Sequence, residues 1–449
     1  MNSDVEIKIT IKIKNRSSIL ILFLILLLIR PVAAETNLID LPAALRLAGA
    51  QNLDVQIARE RLAEAKANHA SAVAQFFPWL APGISYRQHD DRIQDVAGNM
   101  LDVHKYSYAP GVGVIAQVDI GDALYKALSA KQLANAADFA FEAQRQDSVL
   151  AGAQAYFDLA LSQAAVGVSR DAVRISASYA EQIERALEAG LAFKGDALRV
   201  NVQKERNELA LRQAREQQRI AAARLAQTLH LDPIVELIAQ DTELAPLTLI
   251  PTNAALDGAV QQALTSRPEL KQSESLVTAA RDAKNGATYG PLIPTVGAQA
   301  FFGGLGGGRD GVSDRFGGQE DYFVGASWRI GPGGLFDFTR RRSTESRLKA
   351  AELGADKLRN DVTRQTVEAF TRWQSLGDQL MATKRALVAA EEGLRLAQQR
   401  KEFAVGVVLE TILAEQDLTR ARLEYVKAVA EFNKAQYALR KLTGESATK

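Results

Sequence analysis

The 449-residue chain has no cysteine. That excludes disulfide staples, thiolate metal sites, cysteine nucleophiles and a lipid anchor on an N-terminal cysteine. An excess of either charge is also missing, with 54 Lys+Arg against 53 Asp+Glu, so there is no basic field for nucleic acid. Histidine is scarce: His69, His89, His104 and His230 are scattered, without the helical pair spacing of a metal site. His89-Asp90-Asp91 is the one local grouping, and it reads as a solvated loop. No serine, histidine and acid arrangement stands out. The glycine-rich run 303–308 lacks the Gly-Lys-Ser/Thr ending of a phosphate loop and opens no helix, so it reads as surface loop. Nothing here points to an enzyme or to a cofactor.

Long apolar runs are absent too. The longest, 19–29, has eleven residues, against the ~20 that a membrane-spanning helix needs. It follows Lys8, Lys12, Lys14 and Arg16 and precedes the small residues Val32-Ala33-Ala34, so 1–34 reads as a signal peptide. Arg30, directly after the apolar run, leaves an uncleaved inner-membrane anchor as the rival reading. If the mature chain enters a bilayer, it does so as β-strands.

What the chain does have is a duplication. Leu41, Ala44, Ala48, Ala65 and Ala72 recur 215 positions later as Leu256, Ala259, Ala263, Ala280 and Ala287. Pro78 and Gly190 recur 216 positions later as Pro294 and Gly406. Anchors that match across a whole half indicate a duplicated ancestor, not a short-period solenoid. The first repeat, 35–254, is expected to hold helices 40–76 and 122–229 with strands 78–88 and 108–120. The second, 255–445, is expected to hold helices 256–290 and 335–442 with strands 293–302 and 322–330. No proline occurs from 125 to 231, while Leu150, Phe157 and Ala164 are spaced by seven, the mark of helices packed along a seam. The strand segments alternate instead: Val112, Val114, Ala116, Val118 and Ile120 on one side, Gly113, Ile115, Gln117 and Asp119 on the other. The resulting class is mainly α with a small β part.

Four strands with one apolar face cannot close on themselves, and an open sheet edge is not tolerated in lipid. Closure demands several copies, and three would give an even twelve. Counting alone does not choose among two, three and four.

Over 36–445 the chain resembles the TolC-like outer-membrane efflux proteins. The matching pieces are "LPAALRLAGAQNLDVQIA" with "LDGAVQQALTSRPELKQS", "FFPWLAPGISY" with "PLIPTVGAQAF", then "LFDFTRRR" and "VGVVLETILAEQDLTRARLEY". The resemblance implies a homotrimer with a 12-stranded transmembrane β-barrel, four strands per protomer, in outer-membrane lipid. Duplicated long-helix hairpins would form an α-helical tunnel across the periplasm, docked to a periplasmic adaptor and an inner-membrane transporter. The rival is a soluble periplasmic coiled-coil adaptor or scaffold, with its strand pairs packed inside protein. Neither reading fixes the cargo.

The resemblance also nominates residues. The helix-to-helix turns with Gly190 and Leu191, and with Val405 and Gly406, fall where adaptors dock in the family, although each glycine equally serves as a helix end with positive φ. Glu410, Leu413, Glu415, Asp417 and Asp196 are candidates for the periplasmic gate. Leu413 stands where the family is often acidic and Val408 near a position that is basic, so the resemblance leaves room for an apolar constriction and does not imply a salt bridge at these positions. Acidic residues here also suit the positive end of a helix dipole. Trp79, Tyr86, Tyr108, Tyr322 and Trp328 are candidates for an interfacial aromatic belt, and Arg329 alternates onto the lumen face.

Overall fold

The computed structural model describes residues 37–240, 244–251, 253–309, 314–402 and 408–444. The proposed signal peptide, Val405 and Gly406 lie outside them. Within the first half come β1 (Asn37–Ile39), α1 (Leu41–Gln51), α2 (Leu53–Ala74), β2 (Trp79–His89), a small hairpin of β3 (Arg92–Gln94) and β4 (Met100–Asp102), and β5 (Lys105–Asp119). Then follow α3 (Ile120–Glu188), α4 (Lys194–Thr228) and β6 (Leu237–Ala239). The second half holds α5 (Leu256–Ser266), α6 (Pro268–Tyr289), β7 (Thr295–Arg309), β8 (Arg315–Ser327), α7 (Phe338–Glu402) and α8 (Val408–Leu442).

Local chemistry sets the helix starts. Asp40 accepts the Ala43 amide at 2.8 Å ahead of Pro42, which is proline in the first turn behind an oxygen cap. Asn52 caps α2 at 2.8 Å and donates to the Thr228 carbonyl at the end of α4. Asp119, the last residue of β5, caps α3. With 69 residues, α3 runs roughly 100 Å at 1.5 Å per residue. It touches α2, α4, α6 and α8, and α7 lies against α6 and α8. Close approach is possible because the seams are built of small residues: Gly152 faces Ala48, and Gly286 lies under Tyr125.

The main core sits midway along the shaft. Ala44, Ala48, Ala153, Leu159, Leu225, Ala226 and Leu229 are buried there with Tyr156, Phe157 and Tyr437. Parallel β1–β6 pairing closes it on one side. The segment leading to the second half is not a free linker. Asn433 accepts the Leu247 amide at 2.8 Å and donates to the Ala245 carbonyl at 2.9 Å. Gln436 does the same for Leu249 (2.7 Å) and Leu247 (2.8 Å). Two buried amides of α8 thus act as a strand edge for 245–249.

The sheet order is β2-β5-β7-β8, antiparallel throughout. Register sorts its faces. Leu80, Ile84, Tyr86, Tyr108, Val112, Val114, Val296, Phe302, Phe316, Tyr322 and Val324 share one with Gln88 and Glu320; Ser85, Arg87, Lys105, Gln117, Gln299, Arg309, Arg315, Gln319 and Asp321 share the other with Ile115, Phe301, Leu305 and Phe323. Both faces are open along β2 and β8, contrary to the packed strand pairs that the scaffold reading requires.

Three expectations are corrected. The glycine run 303–308 is not loop but the outer half of β7, and β8 begins at Arg315. Glycine has little strand preference of its own, but rings from neighbouring strands lie over it. A Cβ on Gly304 would run into the Phe316 ring, and one on Gly306 into that of Tyr108; the two rings stack 6.0 Å apart. Gly306→Val is therefore expected to lower the thermal stability of the sheet despite valine's higher strand preference, by about 1–3 kcal/mol, in heat-unfolding of the detergent-solubilised protein. Trp79 is seven residues from Tyr86, an odd separation, so it does not share a face with Tyr86, Tyr108 and Tyr322. Trp328 and Arg329 lie past the end of β8; Trp328 donates instead to the Leu292 carbonyl at 3.2 Å.

Candidate functional site

The nominated gate and docking residues gather at the end of the shaft far from the sheet. There α3 turns into α4 through a left-handed glycine: Gly190 has φ +76°. The Leu191 amide reaches back to the Ala186 carbonyl at 2.7 Å and that of Gly190 to Leu187 at 3.0 Å, the hydrogen-bond pattern of a glycine-terminated helix. This turn holds two large apolar side chains out in solvent, Leu191 at 84% and Phe193 at 82% exposure. The Val405-Gly406 turn lies outside the described residues.

Behind the tip, Tyr179 and Ile183 of α3, Val200 of α4 and Ile412 of α8 form a small apolar cluster. Asp196 sits in the first turn of α4, paired with Arg199 at 3.5 Å. Glu410 opens α8 and pairs across the hairpin with Arg400 of α7 at 2.8 Å. A salt bridge thus does tie this end together, through Arg400 and not through the position of Val408. Leu413 and Asp417 point outward.

Glu415 is placed differently from its neighbours. It is 2% exposed at the meeting of α3, α4 and α8. Asn207 donates to it at 3.3 Å and to the Ala172 carbonyl at 3.2 Å. Gln203 donates to Asn207 at 3.0 Å, and Gln416 donates to Gln203 at 2.7 Å. Burial pushes the Glu415 carboxyl up to about 7, against the opposing pull of the Asn207 hydrogen bond. Sequence reasoning nominated Glu415 but missed Asn207, Gln203, Gln416, Arg400 and Phe193. The amides gave no signal, because Gln203 and Asn207 stand among charged residues of α4, and Gln416 among those of α8, as on a solvated face.

Among the described residues no cluster of His, Asp and Glu is arranged to hold a metal ion, and no helix is long and apolar enough to cross a membrane. The parts are thus a two-faced sheet with both edges free, a helical shaft built on a 69-residue helix and a tip of exposed apolar residues. Together they define one stave of a channel that a single copy cannot close.

Comparison with known proteins sharpens that class. The description "Outer membrane efflux protein" matches residues 44–229 and 259–445, and the chain belongs to this outer-membrane family. Protein CyaE of Bordetella pertussis is 27% identical over 310 residues, 68% of this chain. The match spans 64% of that relative, a little under two thirds of its length. The crystal structure of the outer membrane protein VceC from Vibrio cholerae superposes with a TM-score of 0.75 at 17% identity, over 91% of this chain and 97% of VceC. The Campylobacter jejuni CmeC outer membrane channel gives 0.75 at 14% identity, over 90% and 85%. At such identities the structures speak for the fold.

Proposed function

We infer that this protein is the exit duct of a tripartite efflux or type I secretion system, a passive channel with no chemistry of its own. Three copies would close the four-stranded sheet into a twelve-stranded barrel, with the polar face lining the lumen and the apolar face against outer-membrane lipid. The single observation behind this is the sheet itself: most of its charged and amide side chains lie on one face, and no strand lies on the outer edge of β2 or β8 among the described residues. Both repeats contribute two strands and two long helices, so the helical shafts of three copies would continue the barrel as a tunnel. Export through the segment 1–34, removed after Ala34, would bring the chain to that membrane. Leu191, Phe193 and the turn at Gly406 would receive the hairpins of a periplasmic adaptor, and an inner-membrane transporter would supply the energy. Glu410, Leu413, Glu415, Asp417 and Asp196 lie at the end that must open and close.

Purified protein added to planar bilayers is expected to give discrete conductance steps, larger when Arg400→Ala frees Glu410. Silence from both proteins would overturn the duct, and extraction into buffer without detergent would favour the soluble scaffold.

A further inference from the structure

Just below the sheet, the space between the long helices is not filled. A groove of about 390 Å³ lies between α3 and α7, with Ala283 and Gly286 of α6 between them, a volume in the range of sites for small organic ligands. Its walls are equivalent faces of the two duplicated helices. Counted from the caps Asp119 and Asp337, Asp122 matches Arg340 and Ser129 matches Arg347. On each wall the lining residues keep the i, i+4, i+7 spacing of one helix face: Asp122, Lys126 and Ser129 on α3, Arg340, Thr344 and Arg347 on α7. Glu345, Arg341 and Arg342 stand off that face.

Charge in the groove does not balance. Asp122 is the one carboxylate on its walls among the described residues, and two cations already meet it, Arg340 and Lys126, the latter at 2.9 Å. Arg347 is a third cation. It is exposed, and among the described residues no carboxylate comes within ion-pair distance of it. Helix packing does not call for an arginine there, since at the matching position Ser129 simply donates to the Ala279 carbonyl of α6 at 3.0 Å. A cleft with low-dielectric walls and surplus positive charge gathers anions. Tyr125 and Leu133 add an apolar side, and Leu133 is 47% exposed. Asp122 and Lys126 also line a second cavity with Trp79, Gln117 and Asp119, which come from the face of the sheet that carries most of its charged and amide side chains. The groove therefore opens on the side that continues this face, which is the lumen side of the proposed duct.

We propose that this groove binds small organic anions, with a carboxylate or sulfonate held by Arg347 in the field of Arg340 and Lys126 and the apolar part against Tyr125 and Leu133. In the duct such anions are a cargo class that pauses on the inner wall; that role rests on the duct reading, and binding itself does not. Equilibrium dialysis of 2-naphthalenesulfonate against purified protein in dodecyl maltoside should show saturable binding. Arg347→Gln should weaken it roughly tenfold, and Arg347→Lys should keep most of the affinity. Ser343→Phe, at an exposed position of the wall, fills the groove, keeps every cation and should abolish binding. Equal affinity of Arg347→Gln and wild type overturns the site, as does unimpaired binding by Ser343→Phe. Equal binding of the corresponding cation, 2-naphthylmethylammonium, also overturns it, because the attraction would then be apolar alone. Conductance in bilayers without binding ends this site and leaves the duct; binding without conductance ends the duct and leaves the site.

Discussion

Glu269→Gln is expected to cost the folded chain about 3–5 kcal/mol at neutral pH, the price of leaving a buried guanidinium without its counter-charge. Arg267 is buried at the junction of α5 and α6, bound to Glu269 through two nitrogens at 2.8 and 3.3 Å and to Gln365 of α7 at 3.0 Å. Lys441, near the end of α8, reaches the same carboxylate at 3.1 Å and Asp147 of α3 at 2.7 Å. This carboxylate thus ties the start of the second repeat to the last helix, and Lys441 carries the tie on to α3 of the first through Asp147. Burial by itself would raise the Glu269 carboxyl; the Arg267 hydrogen bonds and the charges of Lys441 and Arg267 overcome it and hold the group at about 2. A depressed carboxyl stabilises the fold fully above its ordinary value near 4.5, and that contribution is lost as the pH falls through 2. Urea unfolding of detergent-solubilised protein should therefore show the gap between wild type and variant at pH 7, narrowing between pH 4.5 and 2. A gap of the same size at pH 2.5 would mean that Glu269 acts through packing and not through charge.

That tie is invisible in the sequence, where Arg267, Glu269 and Lys441 look like ordinary helix-surface charges. The long helices are legible for the opposite reason: their evidence is local. Absence of proline from 125 to 231 and seven-residue apolar spacing require nothing from elsewhere in the chain, and α3 indeed runs from Ile120 to Glu188. Period-two alternation likewise exposes β5 and the end of β8. Where a residue's state depends on a distant partner, the reading fails. Gly304 and Gly306 look like loop because the rings that cover them come from Phe316 and Tyr108 on other strands. Segment 245–249 looks like a linker because its backbone partners are Asn433 and Gln436, nearly 190 residues away. The tip follows the same rule. Gly190 is recognisable from its place between helices, whereas Glu410 and Glu415 look alike, and only the packing of three helices makes one half-exposed and the other buried.

Titration should single out Glu415. Glu415 is held by the amide of Asn207, which Gln203 and Gln416 back up, and several charged groups on the packed helices are engaged elsewhere. On α3, Asp171 pairs with Arg174 at 3.3 Å; on α4, Asp196 pairs with Arg199 and Lys204 with Glu208 at 3.9 Å; on α8, Glu410 pairs with Arg400 and Arg422 reaches Glu391 at 3.6 Å. No cation reaches Glu415 among the described residues. With its carboxyl raised to about 7, folding takes up a proton. The stabilisation is complete below about pH 4.5, declines as the pH climbs, and is gone once the pH passes 7. Over that interval it amounts to about 3 kcal/mol, at 1.36 kcal/mol per pH unit. Glu415→Gln keeps a neutral side chain of the same shape at every pH. The variant should match wild type at pH 4.5 and exceed it by up to ~3 kcal/mol at pH 8. Because α3, α4 and α8 meet at this carboxylate, its ionisation is expected to loosen the end of the shaft that opens in the proposed duct. Wild-type conductance in bilayers should therefore rise between pH 6 and 8, and that of Glu415→Gln should stay flat. Parallel pH profiles for the two proteins would place the proton-sensitive group somewhere other than Glu415.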